Sequence, residues 1–109
     1  MKMKVFFGSI FIKKEELEEA RINYPIKLEY YKIINEDEFI NKNKEKFGIK
    51  IIKTEYKGKE PNIEEKTIKH LSNDEEKVDK ILKILKDNEV TPVCVQEIIF
   101  EFSKSLLHI

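Results

Sequence analysis

Apolar and polar positions change period along this chain, and the changes mark its elements. Residues 4–12 are an almost continuous apolar run that suits either a buried strand or the start of a helix, because such runs carry no period. Residues 13–22, Lys-Lys-Glu-Glu-Leu-Glu-Glu-Ala-Arg-Ile, are strong helix formers with Lys14/Glu18 and Glu18/Arg21 spaced for surface ion pairs, and they predict a short helix. Tyr24-Pro25 stops it, since the residue before a proline is pushed to extended geometry. Residues 26–34 alternate at first, placing Ile26, Leu28, Tyr30 and Ile34 on one face of a strand. Residues 35–46 are polar around Phe39 and Ile40 and read as a loop with room for a helical turn.

Residues 47–56 predict a second strand whose apolar phase slips from Ile49 and Ile51 to Ile52, Thr54 and Tyr56, which a bulge near Ile51 would explain. After the Gly and Pro punctuation of residues 57–62, residues 63–71 form a third, more polar strand suited to a sheet edge. Ser72-Asn-Asp-Glu75 has the form of a capping box and opens a helix over about residues 73–87. Val78, Ile81, Leu82 and Leu85 make its inner stripe with Ile84 at the margin, while Lys77, Lys80, Lys83 and Lys86 spread over the far side. Asn88 suits a left-handed cap. Thr91 at the N-cap and Pro92 at the first position start a last helix, running to about Leu107. The fold class is α+β: a three-stranded antiparallel sheet, with an extra strand or helix from the N-terminal residues, packed against two C-terminal helices.

On a wheel at about 100° per residue the last helix is apolar on two sides. Val95, Ile98, Ile99, Phe102 and Leu106 share the core arc. Val93, Phe100 and Leu107 recur every seven residues on another line, with Gln96 and Ser103 beside it. A heptad line can pack on another chain. Two covers are open: a protein partner, a second copy included, or the chain's own residues 5–12.

Composition narrows the chemistry. The 109 residues fit one domain spanning 1–109 and need no metal or disulfide staple to build a core. Twenty-one basic and 21 acidic residues cancel, so no field of one sign draws in nucleic acid or anionic lipid. Arg21 is the single arginine; the abundance of Lys, Ile and Asn matches A/T-rich codons, and it leaves few groups for bidentate phosphate contacts. Cys94 is alone, which rules out an internal disulfide and points to a reducing, cytoplasmic setting. The lysines before the N-terminal apolar run imitate a signal peptide, but Lys13-Lys-Glu-Glu16 follows and no cleavage site appears. A run of this length cannot span a membrane.

No signature of catalysis, cofactor binding or metal binding stands out. His70 and His108 are far apart and lack ligand-spaced neighbours. Gly8-Ser9 lacks the second glycine of a nucleophile elbow, three glycines build no phosphate loop, and Cys94 beside Val93 and Val95 reads as apolar filler. Residues 47–71 carry six lysines against four glutamates, among them Lys50, Lys53, Lys57 and Lys59, and with the two following helices they faintly echo a winged helix-turn-helix. The would-be recognition helix carries Glu97 and Glu101 against Lys104, which argues against that echo.

The segments Glu29-Tyr-Tyr-Lys-Ile33, Phe47-Gly-Ile-Lys-Ile-Ile-Lys-Thr-Glu-Tyr56 and Asn88-Glu-Val-Thr-Pro92 with its apolar helix resemble a family of small uncharacterised proteins from low-GC, spore-forming anaerobic bacteria. The resemblance covers roughly the last two thirds of the chain and leaves residues 1–24 outside. It implies a cytoplasmic bacterial setting and assigns no catalytic residue. The expectation is a non-enzymatic protein-interaction module, meeting a protein partner or a second copy through Val93, Gln96, Phe100, Ser103 and Leu107. The alternative is a weak nucleic-acid-binding regulator using Lys50, Lys53, Lys57 and Lys59.

Overall fold

The computed structural model describes residues 2–36 and 45–105. Four strands, β1 (Lys2–Ile12), β2 (Ile26–Asn35), β3 (Phe47–Glu55) and β4 (Asn62–Ser72), pair antiparallel in chain order. The sheet thus has four strands rather than three: the N-terminal run is β1, and β4 takes the edge expected of it. A 3-10 helix, Lys14–Ala20, occupies the predicted short helix and ends on Arg21 in the left-handed region at φ 59°. The predicted loop between β2 and β3 falls largely at 37–44, outside the described residues.

Two helices, α1 (Glu75–Asp87) and α2 (Pro92–Ser105), lie on one face of the sheet, α1 over its middle strands and α2 over β3 and β4. The inward residues of the strands, including Ile26, Leu28, Tyr30, Phe47, Ile49 and Ile51, meet Val78, Ile81, Leu82 and Leu85 of α1 and Val95 and Ile99 of α2 in one cluster. The helical stripe read from the sequence is therefore the core stripe, and each fully buried aliphatic side chain contributes up to about 1.5–3 kcal/mol. Lys32 also points to this face. Burial alone would lower its pKa, but Glu75 at 2.7 Å and Asp79 at 2.9 Å more than offset that and raise it.

Local chemistry departs from the sequence reading at three places. Asp74, not Ser72, caps α1: its carboxylate accepts from the Glu76 and Lys77 amides, while the Ser72 hydroxyl accepts from the Asp74 amide at 3.0 Å. β4 runs on to Ser72, so the helix starts two residues later than a box on Ser72 requires. Asn88 keeps a negative φ of -103° and donates its side-chain amide to the Ile84 carbonyl, and Glu89 takes the left-handed position at φ 52°. No bulge sits at Ile51 between β2 and β3, whose register is unbroken. The apparent slip arises because β3 is apolar on both sides: Ile49 and Ile51 face the helices, and Ile52, Thr54 and Tyr56 lie on the opposite face.

The register breaks elsewhere. Phe7 is an extra residue between the pairs Phe6–Tyr31 and Gly8–Tyr30, so Phe6 and Phe11, five apart in sequence, reach the same face. On the other edge, Phe47 pairs with Ser72 and Ile49 with Ile68, leaving three β4 residues opposite Gly48. A Cβ at Gly48 would collide with the backbone carbonyls of Ile68 and Lys69, so only glycine admits this approach. Asn35 fastens the same end, donating its side-chain amide to the carbonyls of Lys46 at 3.0 Å and Lys69 at 2.9 Å.

Candidate interaction surfaces

Among the described residues, two apolar surfaces lie outside the core. The first is the outer side of α2. Val95 is 1% exposed and locks the helix to the sheet, whereas Val93 is 76% and Phe100 59% exposed. Seven residues are nearly two helical turns, so Val93 and Phe100 stand on one line, with exposed Gln96 between them. Phe100, Gln96, Glu97 and Glu101, with Ile98 and Phe102 of the core arc at its inner edge, line a shallow groove beside this line. Ser103 continues the helix, and Leu107 lies outside the described residues. The N-terminal residues do not cover this line: β1 pairs with β2 at the edge of the sheet opposite to β4, which α2 overlies.

The second surface is the face of the sheet away from the helices, open from the Phe6 row onward; at the other end Ile33 and Asn35 of that face are 1% and 3% exposed. Cross-strand pairing arranges it in rows from β1 to β4: Phe6–Tyr31–Lys50–Thr67, then Ser9–Glu29–Ile52–Glu65, then Phe11–Lys27–Thr54–Ile63. Phe6 meets Tyr31 edge-on at 5.5 Å between centroids, and Phe11 lies 6.2 Å from Tyr56. Phe11 at 56% and Ile63 at 58% exposure sit at the two ends of one row. The charges between the rings are already engaged. Lys50 is 3.5 Å from Glu65, Lys27 is 3.9 Å from Glu29, and the Lys4 ammonium lies 4.4 Å over the Tyr31 ring, whose hydroxyl donates to Glu29. Sequence reasoning missed this surface. Its signal was the phase slip in β3, which reported a two-faced strand.

The four hairpin lysines do not converge. Lys50 is on the open face, and Lys53 is on the helix side 3.6 Å from Glu55. Lys57 lies 5.4 Å over the Tyr24 ring and 3.9 Å from Glu55, while Lys59 is exposed in the β3–β4 connection. Glu55 is the buried hub of this corner: its carboxylate accepts from the Asn62 side-chain amide and the Tyr24 hydroxyl, both at 2.8 Å. The Asn62 bond, the Tyr24 bond and the two lysines lower its pKa despite burial, and the same bond raises that of Tyr24. A cleft beside it, lined by Ile12, Leu17, Ile22, Ile26, Leu28, Glu16, Lys53, Glu89 and Thr91, has an apolar floor and a mixed-charge rim.

His70 Nδ1 is 2.7 Å from the Glu45 carbonyl, in a role that ties β4 to the residues before β3. Cys94 is a free, exposed thiol in the first turn of α2, so it is not the core filler that its apolar neighbours imply. Among the described residues no cluster of His, Cys, Asp or Glu has a metal-binding arrangement, and no helix is long and apolar enough to cross a membrane.

No curated protein and no solved structure matches the chain. A family model does match, over residues 4–105, which takes in β1 as well as the segments that carried the resemblance. The four-stranded sheet with its two helices is thus the whole of the matched unit, and the chain belongs to the family of unknown function DUF6514.

Proposed function

We propose that this protein is a non-enzymatic interaction module of the cytoplasm that presents the outer line of α2 to a helix of another protein. The carrying observation is the exposure of Val93 and Phe100, seven residues apart, on the side of α2 opposite to the buried Val95 and Ile99. A line with that repeat stays in register with a facing helix, and Gln96 between the apolar residues supplies a polar contact. The free Cys94 thiol beside the line fits a reducing compartment. Divergence and ion pairing of Lys50, Lys53 and Lys57 leave the hairpin without a concentrated cationic patch, so a protein partner is favoured over a phosphate backbone.

The test is co-purification with the tagged chain from cells that express it, with Val93→Glu and Phe100→Glu as controls of unchanged circular dichroism. A partner held by the native chain and lost by both variants supports the assignment. The same proteins retained by all three chains would refute it.

A further inference from the structure

We infer that the cleft between the 3-10 helix and the turn joining α1 to α2 binds a small zwitterion with an apolar side chain, an α-amino acid of the leucine or phenylalanine kind, independently of the outer line of α2. The helical layer stops short of one end of the sheet. Because the Tyr30 hydroxyl meets the Val90 carbonyl at 2.9 Å, the turn stands over the Gly8–Tyr30–Ile51 row. Two more rows continue past it on the same face, Ile10–Leu28–Lys53–Glu64 and Ile12–Ile26–Glu55–Asn62. Leu17 of the 3-10 helix and Ile22 just after it pack against the core there, and between them and the turn lies a cleft of about 360 Å³. That volume is near the lower end of the roughly 300–1,000 Å³ typical of small-molecule sites.

The charges that line the cleft select its occupant. Lys53 comes from the sheet with its side chain 17% exposed, and its ion pair with Glu55 is 3.6 Å long. The two oxygens of Glu55 already accept short bonds, both at 2.8 Å, from Asn62 and Tyr24, and Lys57 shares the same carboxylate at 3.9 Å. Two ammonium groups thus answer one carboxylate, and the three N–H donors of Lys53 have no acceptor at hydrogen-bond length among the described residues. From the turn, Glu89 lines the cleft with a carboxylate that has neither ion pair nor hydrogen bond among the described residues. Burial first, and then the Glu89 charge, raise the pKa of Tyr30, so this carboxylate lies within reach of the sheet. Glu16 on the opposite wall keeps one oxygen on the Lys13 amide at 2.9 Å. An acid alone would face Glu16 and Glu89, and an amine alone would leave Lys53 unanswered. A zwitterion meets both signs: its carboxylate takes the Lys53 donors, its ammonium takes Glu89, and its side chain packs on Ile12, Leu17, Ile22 and Leu28.

Titration calorimetry of the full chain with leucine and phenylalanine tests this, with three fragments of leucine as probes: isocaproate lacks the amine, isoamylamine the carboxylate, and glycine the side chain. Leucine or phenylalanine should bind and raise Tm, and each fragment should bind about tenfold more weakly or worse. Lys53→Met should bring leucine down to the affinity of isoamylamine, and Glu89→Gln should bring it down to that of isocaproate. Glu89 is exposed in a turn, so Glu89→Gln carries the test alone where Lys53→Met fails to fold. Phe100→Glu should leave leucine binding unchanged. Absence of both heat and Tm shift with leucine and phenylalanine overturns the inference. Isocaproate or isoamylamine binding the native chain as tightly as leucine overturns the zwitterion, and leucine affinity unmoved by Glu89→Gln, or lost in Phe100→Glu, overturns the placement in this cleft.

Discussion

Replacing Tyr30 with phenylalanine removes one atom that joins the sheet to the helical layer. The Tyr30 hydroxyl donates to the Val90 carbonyl at 2.9 Å, Tyr30 is fully buried, and Val90 sits in the turn between α1 and α2. Burial raises the phenol's pKa, so the group stays a neutral donor across the working range of pH. Phenylalanine keeps the ring, so the transfer and packing terms hardly change; what is lost is the donor to a carbonyl that water does not reach. A buried acceptor left unpaired costs about 1–3 kcal/mol, against a total stability of about 5–15 kcal/mol for a domain of this size. Urea denaturation should therefore show an unfolding free energy lowered by about 2 kcal/mol, read as a lower midpoint at unchanged slope. Tyr31→Phe, whose hydroxyl serves Glu29, a carboxylate that water still reaches at 20% exposure, is the control and should stay within about 0.5 kcal/mol of native. A Tyr30→Phe protein as stable as the control would refute the assignment of this bond as the tie between the two layers.

Gly48→Ala should destabilise by about 3 kcal/mol or more, because the new methyl meets backbone carbonyls on β4 that cannot move without breaking the register; Gly58→Ala, in open space at φ 77°, should cost only about 1 kcal/mol by the same denaturation assay. Glu55 has a folded-state pKa below its unfolded value, so its stabilisation is complete above the ordinary carboxylate value of 4.5 and is lost as pH falls from there through the folded value. Glu55→Gln should flatten the acid limb of a Tm-versus-pH profile, and an unchanged limb would remove Glu55 as its source.

Where period and capping chemistry speak with one voice, the sequence is readable: Val78, Ile81, Leu82 and Leu85 at helical spacing and Pro92 at a helix start appear where they were expected. The sheet was harder to read because two of its strands are apolar on both faces and two bulges shift the alternation. The extra residue Phe7 erased the period of β1, so strand and helix remained equal readings of it. The inward and outward sets of β3, Ile49 and Ile51 against Ile52, Thr54 and Tyr56, are offset by an odd step and imitate a bulge that is absent. The α2 line at Val93 and Phe100 was legible from the seven-residue repeat alone. The open face was not, because it exists only once four strands lie side by side.

Strand order equal to chain order has a consequence for synthesis. Every strand finds its partner among residues already made, so hairpins can assemble as the chain emerges and few long loops have to close. The helices arrive last. Thirty-two residues separate the end of β3 at Glu55 from the end of α1 at Asp87, which at about 5–20 residues per second leaves the inward isoleucines uncovered for roughly 2–6 s. During that interval the nascent sheet is wet and apolar on both sides, and its demand for a chaperone is greatest just before α1 closes over it.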